Sequence, residues 1–227
     1  MCTFGEIVEP VSRSTWEDWD DEIPDIASLQ WQQPLDTFNK IETLFILEGK
    51  FISECVKMHP QAHLKLINSV LEVNLHLYEM ASNKYVCTIK NYNLLHSSEI
   101  VELLKPLIIT SDNVVTIQTK TLLEYQTASP VNSPLIIREL STSKPAPKLW
   151  DGKFKRLEQP NIISGVAAGV LCLREHLDLS ATTLVYYIEH SEEYQTDEIQ
   201  QILEKLKIIN SICSTQVNGI LNSNLYI

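Results

Sequence analysis

The sequence is poor in glycine, in positive charge and in uninterrupted apolar runs, and each shortage excludes a class of protein. Six glycines among 227 residues leave little material for phosphate-binding loops, and no Walker, G-x-G-x-x-G or G-x-S-x-G pattern occurs. Its 18 Lys+Arg oppose 29 Asp+Glu, a net charge of −11, which disfavours nucleic acid and anionic membranes as partners. The charge-free run 159–173 is shorter than the ~20 apolar residues of a membrane span, so no membrane insertion is predicted.

Cysteine usage indicates a reducing compartment. The five cysteines are an odd, scattered set without a C-x-x-C pair, which favours buried thiols over disulfides or a zinc site. The first ten residues carry Glu6 and no basic flank before an apolar stretch, so no secretory signal is expected. We therefore expect a cytoplasmic protein, and leave open the nucleus and association with the endoplasmic reticulum.

The sequence divides into three parts. Residues 1–40 are predicted to be a flexible acidic arm, since they combine low apolar density with like charges. Residues 41–221 are predicted to form a single α/β domain, and residues 222–227 a flexible binding tail. The arm contains Trp16, Trp19 and Trp31, which either fold back onto the domain or anchor a segment that orders on a partner.

Hydrophobic periodicity predicts strands alternating with helices within the domain. The apolar run 43–47 and the β-branched stretches 114–119 and 182–188 indicate buried strands. A strict alternation over 71–78, followed by a polar turn and 85–90, indicates a hairpin. Interleaved strands and helices predict an α/β fold, a mixed sheet with helices on both faces (three-layer α/β/α).

Four helices are expected between these strands. They cover 51–58, a segment that starts at Ser97 or Ser98 and ends at Lys105, a segment capped by Asn161, and a segment capped by Thr196. Pro60 is expected to end the first, because the residue before a proline disfavours helix.

Residues 141–158 interrupt this regular pattern and are predicted to form an extended basic loop that contains prolines. Its basic residues form the one cationic concentration of note in the sequence: Lys144, Lys148, Lys153, Lys155 and Arg156. The loop is either a solvated connection or a surface that pairs with an acidic partner or with the acidic arm of the chain itself.

No catalytic constellation emerges, so we predict a protein that is not an enzyme and that has no metal or cofactor. Ser164–Gly169 superficially resembles a glycine loop, but no strand precedes it, and close packing of a helix explains Gly165 and Gly169 better. His59 and His63 have a metal-binding spacing, yet Pro60 lies between them without an accompanying acidic or sulfur ligand. They are interpreted as surface residues.

The last residues have the composition of a binding motif. After the uncharged polar Asn222, Ser223 and Asn224, the sequence closes on Leu225, Tyr226 and Ile227. A hydrophobic residue, a tyrosine and a final residue form the pattern of tails that insert between neighbouring α subunits of a proteasome ring.

Together with other segments, this tail resembles the first subunit of the heterodimeric proteasome assembly chaperone pair. The match is most specific over 156–188 and 223–227, and looser but collinear over 43–140. The opening Phe4–Val8, followed by acidic residues, is also similar to the amino end of that family.

The resemblance implies a non-catalytic chaperone for the 20S core particle. Such a protein would pair with a homologous second subunit, bind proteasome α subunits and promote assembly of the α ring. Leu225 would supply the hydrophobic element of the tail, Tyr226 the aromatic one, and Ile227 the terminal carboxylate. Two alternatives remain open: a scaffold or adaptor that captures basic partners through its acidic arm, and a nucleoside-processing α/β enzyme.

Overall fold

The fold is an eight-stranded mixed sheet between two pairs of helices, seen in a computed structural model. The model describes residues 28–35, 40–58, 64–80, 83–127, 133, 135–144, 153–189 and 193–210. The strands are β1 (Ile41–Glu48), β2 (Lys65–Val70), β3 (Leu75–Met80), β4 (Lys84–Ile89), β5 (Ser111–Thr121), β6 (Leu135–Ser141), β7 (Lys155–Arg156) and β8 (Ala181–Ile188). The helices are α1 (Lys50–Met58), α2 (Ser97–Thr110), α3 (Gly165–His176) and α4 (Glu193–Lys205).

The strand order is β2-β3-β4-β1-β5-β8-β6-β7. The four central strands β4, β1, β5 and β8 run parallel, whereas β3 and β6 are antiparallel to their inner neighbours. Because parallel strands need crossover connections, the helices that follow them cover both faces of the sheet.

Alternating residues of β1 show how the two faces form. Leu44 and Ile46 belong to a core shared with α2 and α3, and Phe45 and Leu47 to a core shared with α1 and α4. Both sets are buried, as expected of a strand covered on both sides. The predicted three-layer α/β/α architecture is confirmed.

A buried arginine ties the carboxyl end of α3 to neighbouring elements. Arg174 is 0% exposed and donates to the carbonyl oxygens of Ile108 and Ser111 at 2.8 Å, of Asp112 at 2.9 Å and of Ser180 at 2.6 Å. These carbonyls belong to α2, the start of β5 and the approach to β8. One side chain therefore satisfies backbone acceptors where three elements meet.

Residues 28–35 pack on the domain, beside β2. The Gln32 amide donates to the Ser69 carbonyl at 3.0 Å, and the Asn68 side chain bonds with the backbone of Gln33 in both directions, at 2.6 and 3.2 Å. Trp31 packs against the core shared with α2 and α3. This tryptophan thus folds back onto the domain, whereas Trp16 and Trp19 lie outside the described residues.

The predicted strand over 71–78 is wrong in its first half. Residues 71–74 form a turn in which Asn74 has φ of 49°, and β3 starts only at Leu75. Val73 is buried within that turn, so the alternation continues through it and imitates a longer strand. Strands β2 and β6 were not predicted, and neither was β7, which lies within the predicted loop 141–158.

Three helix boundaries also differ from prediction. Helix α2 continues past Pro106 to Thr110, because buried Leu104 and Leu107 anchor it on both sides of the proline. Helix α3 has Ser164 at its N-cap. Asn161 instead bonds to the backbone of Gln126 and Glu158. Thr196 lies inside α4, which begins at Glu193.

Candidate functional site

The carboxyl ends of the parallel strands border a cavity of about 620 Å³. This edge is where open α/β sheets bind ligands. Glu48 ends β1, Gln118 lies near the end of β5, Tyr92 follows β4, and Ser164 precedes α3; all four line the cavity.

Glu48 is a buried carboxylic acid at the amino end of α3. Tyr92 donates its hydroxyl proton to Oε1 at 2.5 Å, and the amides of Val166 and Ala167 donate to the carboxylate at 3.3 and 2.8 Å. Alternation along β1 directs this side chain to the face that α3 covers. Burial raises the pKa of Glu48, and the bonds from Tyr92 and the two amides oppose that rise only in part.

Gly165 makes this arrangement possible. Its φ is +70°, and a Cβ atom there would lie 2.4 Å from both Glu48 Oε1 and the Tyr92 hydroxyl oxygen. Any larger residue would strain the backbone and displace the carboxylate. At Gly169 a different neighbour excludes a larger residue, since a Cβ atom there would lie 2.8 Å from the Val101 side chain of α2. The predicted close packing accounts for Gly169, although its neighbour is a helix and not the sheet, whereas Gly165 is required by its positive φ and by the approach of Glu48 and Tyr92.

The chemistry of the cavity differs from that of a phosphate site. The amides at the amino end of a helix are the usual anion site of such folds. Here two of these amides already donate hydrogen bonds to Glu48. Three lysines line the cavity: Lys90 pairs with Glu54 at 3.0 Å and Lys120 with Glu124 at 3.5 Å, whereas Lys50 has no carboxylate within 4.0 Å among the described residues. The network positions α3 on the sheet through the buried Glu48 side chain.

A second polar cluster holds the segment after β7 against β6. Arg138 Nε donates to Glu158 Oε2 at 2.8 Å, and the Arg138 guanidinium also bonds to the Tyr125 hydroxyl. Tyr125 in turn hydrogen-bonds Glu158 and packs at 5.0 Å from the ring of Tyr187. The Arg138 hydrogen bond holds the pKa of Glu158 well below its usual range, at about 2. The cluster fixes a loop and lacks a nucleophile.

Four large apolar side chains are exposed at this same edge, which we call the apolar rim. Leu94 and Leu95 lie between β4 and α2, Leu123 directly follows β5, and Ile162 precedes α3. Their exposed fractions are 62%, 76%, 97% and 75%. Isolated exposed leucines are common, but a group at one edge indicates a contact surface for another molecule.

The sequence-predicted site residues Leu225, Tyr226 and Ile227 lie outside the described residues, as do His59 and His63. Sequence reasoning missed Glu48, which it treated only as the end of an apolar run. The available signal was an acid that closes an apolar run immediately before a glycine. It also missed the apolar rim, because exposure depends on the tertiary arrangement.

The described residues contain neither a membrane-spanning helix nor a cluster of metal-binding side chains. Among the described residues, every helix is too short or too polar to cross a bilayer. In the same part of the chain, no three His, Cys, Asp or Glu side chains gather where they could hold a metal ion.

The three-layer fold is shared with solved structures of proteasome-assembly chaperone homologues. PbaA of Pyrococcus furiosus, an archaeal homologue of proteasome-assembly chaperone, superposes with a TM-score of 0.57 at 13% identity, covering 82% of this chain and 88% of PbaA. PbaB of the same organism, an archaeal proteasome activator, gives 0.55 at 11% identity, with 81% and 90% covered. A Thermoplasma acidophilum protein of unknown function gives 0.53 at 13% identity, with 76% and 80% covered.

The similarity is structural. No protein-family model matches the sequence, and no curated protein matches it. The resemblance seen in the sequence is therefore confirmed at the level of the fold, which this chain shares with proteasome-assembly chaperone homologues.

Proposed function

We propose that this chain is a non-catalytic chaperone that promotes assembly of the α ring of the 20S proteasome in the cytoplasm. It acts as a heterodimer with a homologous second subunit and binds proteasome α subunits. The observation that carries the proposal is the fold shared with PbaA over 82% of the chain. The closing Leu225-Tyr226-Ile227 supports it, since this motif suits insertion between α subunits.

The tail alone is expected to bind weakly. Burial of Leu225 and Tyr226 contributes about 2 kcal/mol each, and a carboxylate on Ile227 that meets a lysine about 1.5–3 kcal/mol. Ordering of the tail residues costs roughly 1 kcal/mol or more apiece, which offsets most of this gain. A second contact, made by the folded domain or its partner, would raise the effective concentration of the tail to the millimolar range.

We assign the apolar rim to the contact with the second subunit. Permanent interfaces between subunits are more apolar than transient ones, and Leu95, Leu123 and Ile162 are the side chains whose exposure such a contact would end. The tail then remains available for the α subunits. The apolar rim thus serves dimer formation, and the tail serves recognition of the ring.

Capture experiments with three variants separate these tasks. Deletion of Leu225–Ile227 is expected to reduce α-subunit capture at least tenfold and to leave the heterodimer intact. An added glycine after Ile227, which moves the terminal carboxylate, should weaken capture to a smaller extent. The double variant L123N/I162N should instead lose the second subunit and remain folded, because both side chains are exposed in the monomer.

Each of these predictions can be contradicted by a specific outcome. Unchanged α-subunit capture by the truncated heterodimer would contradict the role of the tail. An intact heterodimer with L123N/I162N would contradict the role of the apolar rim. Circular dichroism melts of every variant provide the control for folding.

A further inference from the structure

Residues 28–35 enter the domain at the edge of the sheet that carries the apolar rim. The Gln32 amide donates to the carbonyl oxygen of Ser69, and Ser69 is the last residue but one of β2. Strand β2 runs in the same direction as β4, since both are antiparallel to β3. Its end therefore lies at the carboxyl edge of the parallel strands, whereas Ile41 begins β1 at the opposite edge. Residues 1–27 are thus attached at the carboxyl edge.

An exposed apolar residue links this entry point to the cavity at the same edge. Leu71 is 65% exposed in the turn that directly follows β2. That turn is joined to the cavity wall, because the Lys90 amide donates to the carbonyl oxygen of Asn74 at 3.3 Å and Lys90 lines the cavity. Leu94 of the apolar rim also lines the cavity. The turn, the cavity and the apolar rim therefore form one continuous surface.

The entry point also lies on the same face of the sheet as the apolar rim. Leu29 packs against the core shared with α2 and α3, and Leu95 and Ile162 lie just before these two helices. The ammonium group of Lys120, which lines the cavity, donates to the carbonyl oxygen of Ile162 at 3.2 Å. A segment that follows this surface from the entry point passes over the cavity to the far end of the apolar rim.

The sequence before residue 28 has side chains that suit this surface. Residues 14–27 contain Trp16, Trp19, Ile23 and Ile26, four large apolar side chains at intervals of three or four residues. Aromatic side chains that fill concave sites are the usual anchors of a binding segment. A cavity of about 620 Å³ has room for an indole ring.

The chain is long enough for both tryptophans to reach the cavity. Adjacent strands are about 4.8 Å apart, so the end of β2 lies about 10 Å from β4 and about 19 Å from β5. A fully extended chain covers at most about 3.6 Å per residue, so Trp19 can lie about 32 Å from Ser28 and Trp16 about 43 Å. Because the segment is covalently attached, its effective concentration at the cavity is in the millimolar range.

We propose that residues 14–27 dock across the cavity and the apolar rim of their own chain. Three lysines and three glutamates line the cavity, so their charges balance and the indoles, rather than the acidic side chains, determine the docking. The second subunit then competes with residues 14–27 for the apolar rim. This competition rests on the proposed function, whereas the docking itself does not.

Limited proteolysis of the full chain by chymotrypsin, which cleaves after tryptophan, tests the docking. Initial rates of cleavage after Trp16 and Trp19 are measured by mass spectrometry at low and at high protein concentration. A free peptide of residues 14–27 gives the rate for the unprotected segment. The surface variant is L95N/I162N, and its matched control is I109N, which replaces a 46% exposed residue of α2 outside the apolar rim. The control for charge is E22Q/D25N.

Cleavage of the unmodified chain should be at least fivefold slower than that of the peptide, and L95N/I162N should remove this protection. The variants I109N and E22Q/D25N should change the rate less than twofold. Equal rates for L95N/I162N and the unmodified chain would overturn the proposal. So would protection that disappears on dilution, which would identify a second copy as the source of the segment, or loss of protection in E22Q/D25N.

A reciprocal measurement on the full chain separates docking from any effect of L95N/I162N on folding. The variant W16A/W19A alters only the segment outside the described domain, and it should speed hydrogen exchange at the amides of 94–97 at least threefold. Unchanged exchange there would contradict the docking. Capture of α subunits is not involved in either measurement, so the proposed function and this inference can fail separately.

Discussion

Glu48 shows how a single side chain can determine the pH dependence of this fold. Its carboxyl group is buried at the amino end of α3, and burial raises its pKa above the usual 4.5. A group whose pKa is higher in the folded state stabilises the protein fully only below its unfolded pKa. That stabilisation is lost as pH rises through the folded pKa, because the ionised form is costly to bury.

The variant E48Q is therefore expected to flatten the stability profile. Its amide oxygen can still accept hydrogen bonds from the α3 amides, but it does not ionise. The urea midpoint of E48Q, compared with that of the unmodified chain, should rise as pH increases above about 4.5. The exposed E102Q of α2 is the control and should follow the unmodified chain. If the urea midpoints of E48Q and the unmodified chain changed in parallel with pH, this role of Glu48 would be contradicted.

The structure gives Glu158 the opposite behaviour. Its pKa is lowered to about 2, so the stability it contributes is present above the unfolded value of 4.5 and is lost as pH falls towards 2. Because its side chain is 42% exposed, the contribution is small, about 0.5 kcal/mol. Neither environment was predictable from the sequence, since each depends on partners many positions away.

Among the helices and strands, periodicity predicted the buried elements best. Strands β1, β5 and β8 were expected within a few residues, because their apolar runs are long and bounded by polar turns. Strand β2 was missed since Asn68 and Ser69 are buried through bonds to residues 32–33, which a local pattern cannot show. The alternation over 71–78 was misleading because burial of Val73 in a turn preserves the period of a strand.

Arg174 links elements that are distant in the sequence, and its removal is expected to loosen their junction. The variant R174M should lose about 3 kcal/mol or more of unfolding free energy, because it leaves buried carbonyls of three elements without donors. The unfolding free energy of R174K should lie between those of R174M and the unmodified chain, since an ammonium group cannot reproduce all the hydrogen bonds of the guanidinium group.

Urea denaturation at pH 7 measures these changes. The control K105M replaces a partly exposed lysine of α2 and should stay within about 0.5 kcal/mol of the unmodified chain. A loss below about 1 kcal/mol for R174M would show that water or a rearranged backbone satisfies the carbonyls instead.

For the molecule as a whole, sequence predicted the architecture and the class of fold, while the surfaces required the structure. The three-layer α/β/α arrangement followed from alternating strand and helix patterns. The apolar rim did not, because it collects residues from separate segments. The predicted binding tail, Leu225–Ile227, stays a prediction, and so does the absence of catalysis.

The most direct test is purification of the tagged full chain from cells of its source, followed by identification of the chains that remain bound. We expect a homologous second chaperone subunit in a one-to-one ratio, together with α-type and not β-type proteasome subunits in assembly intermediates. Recovery of the chain without any proteasome subunit, under salt and detergent conditions that preserve assembled 20S particles, would contradict the chaperone function.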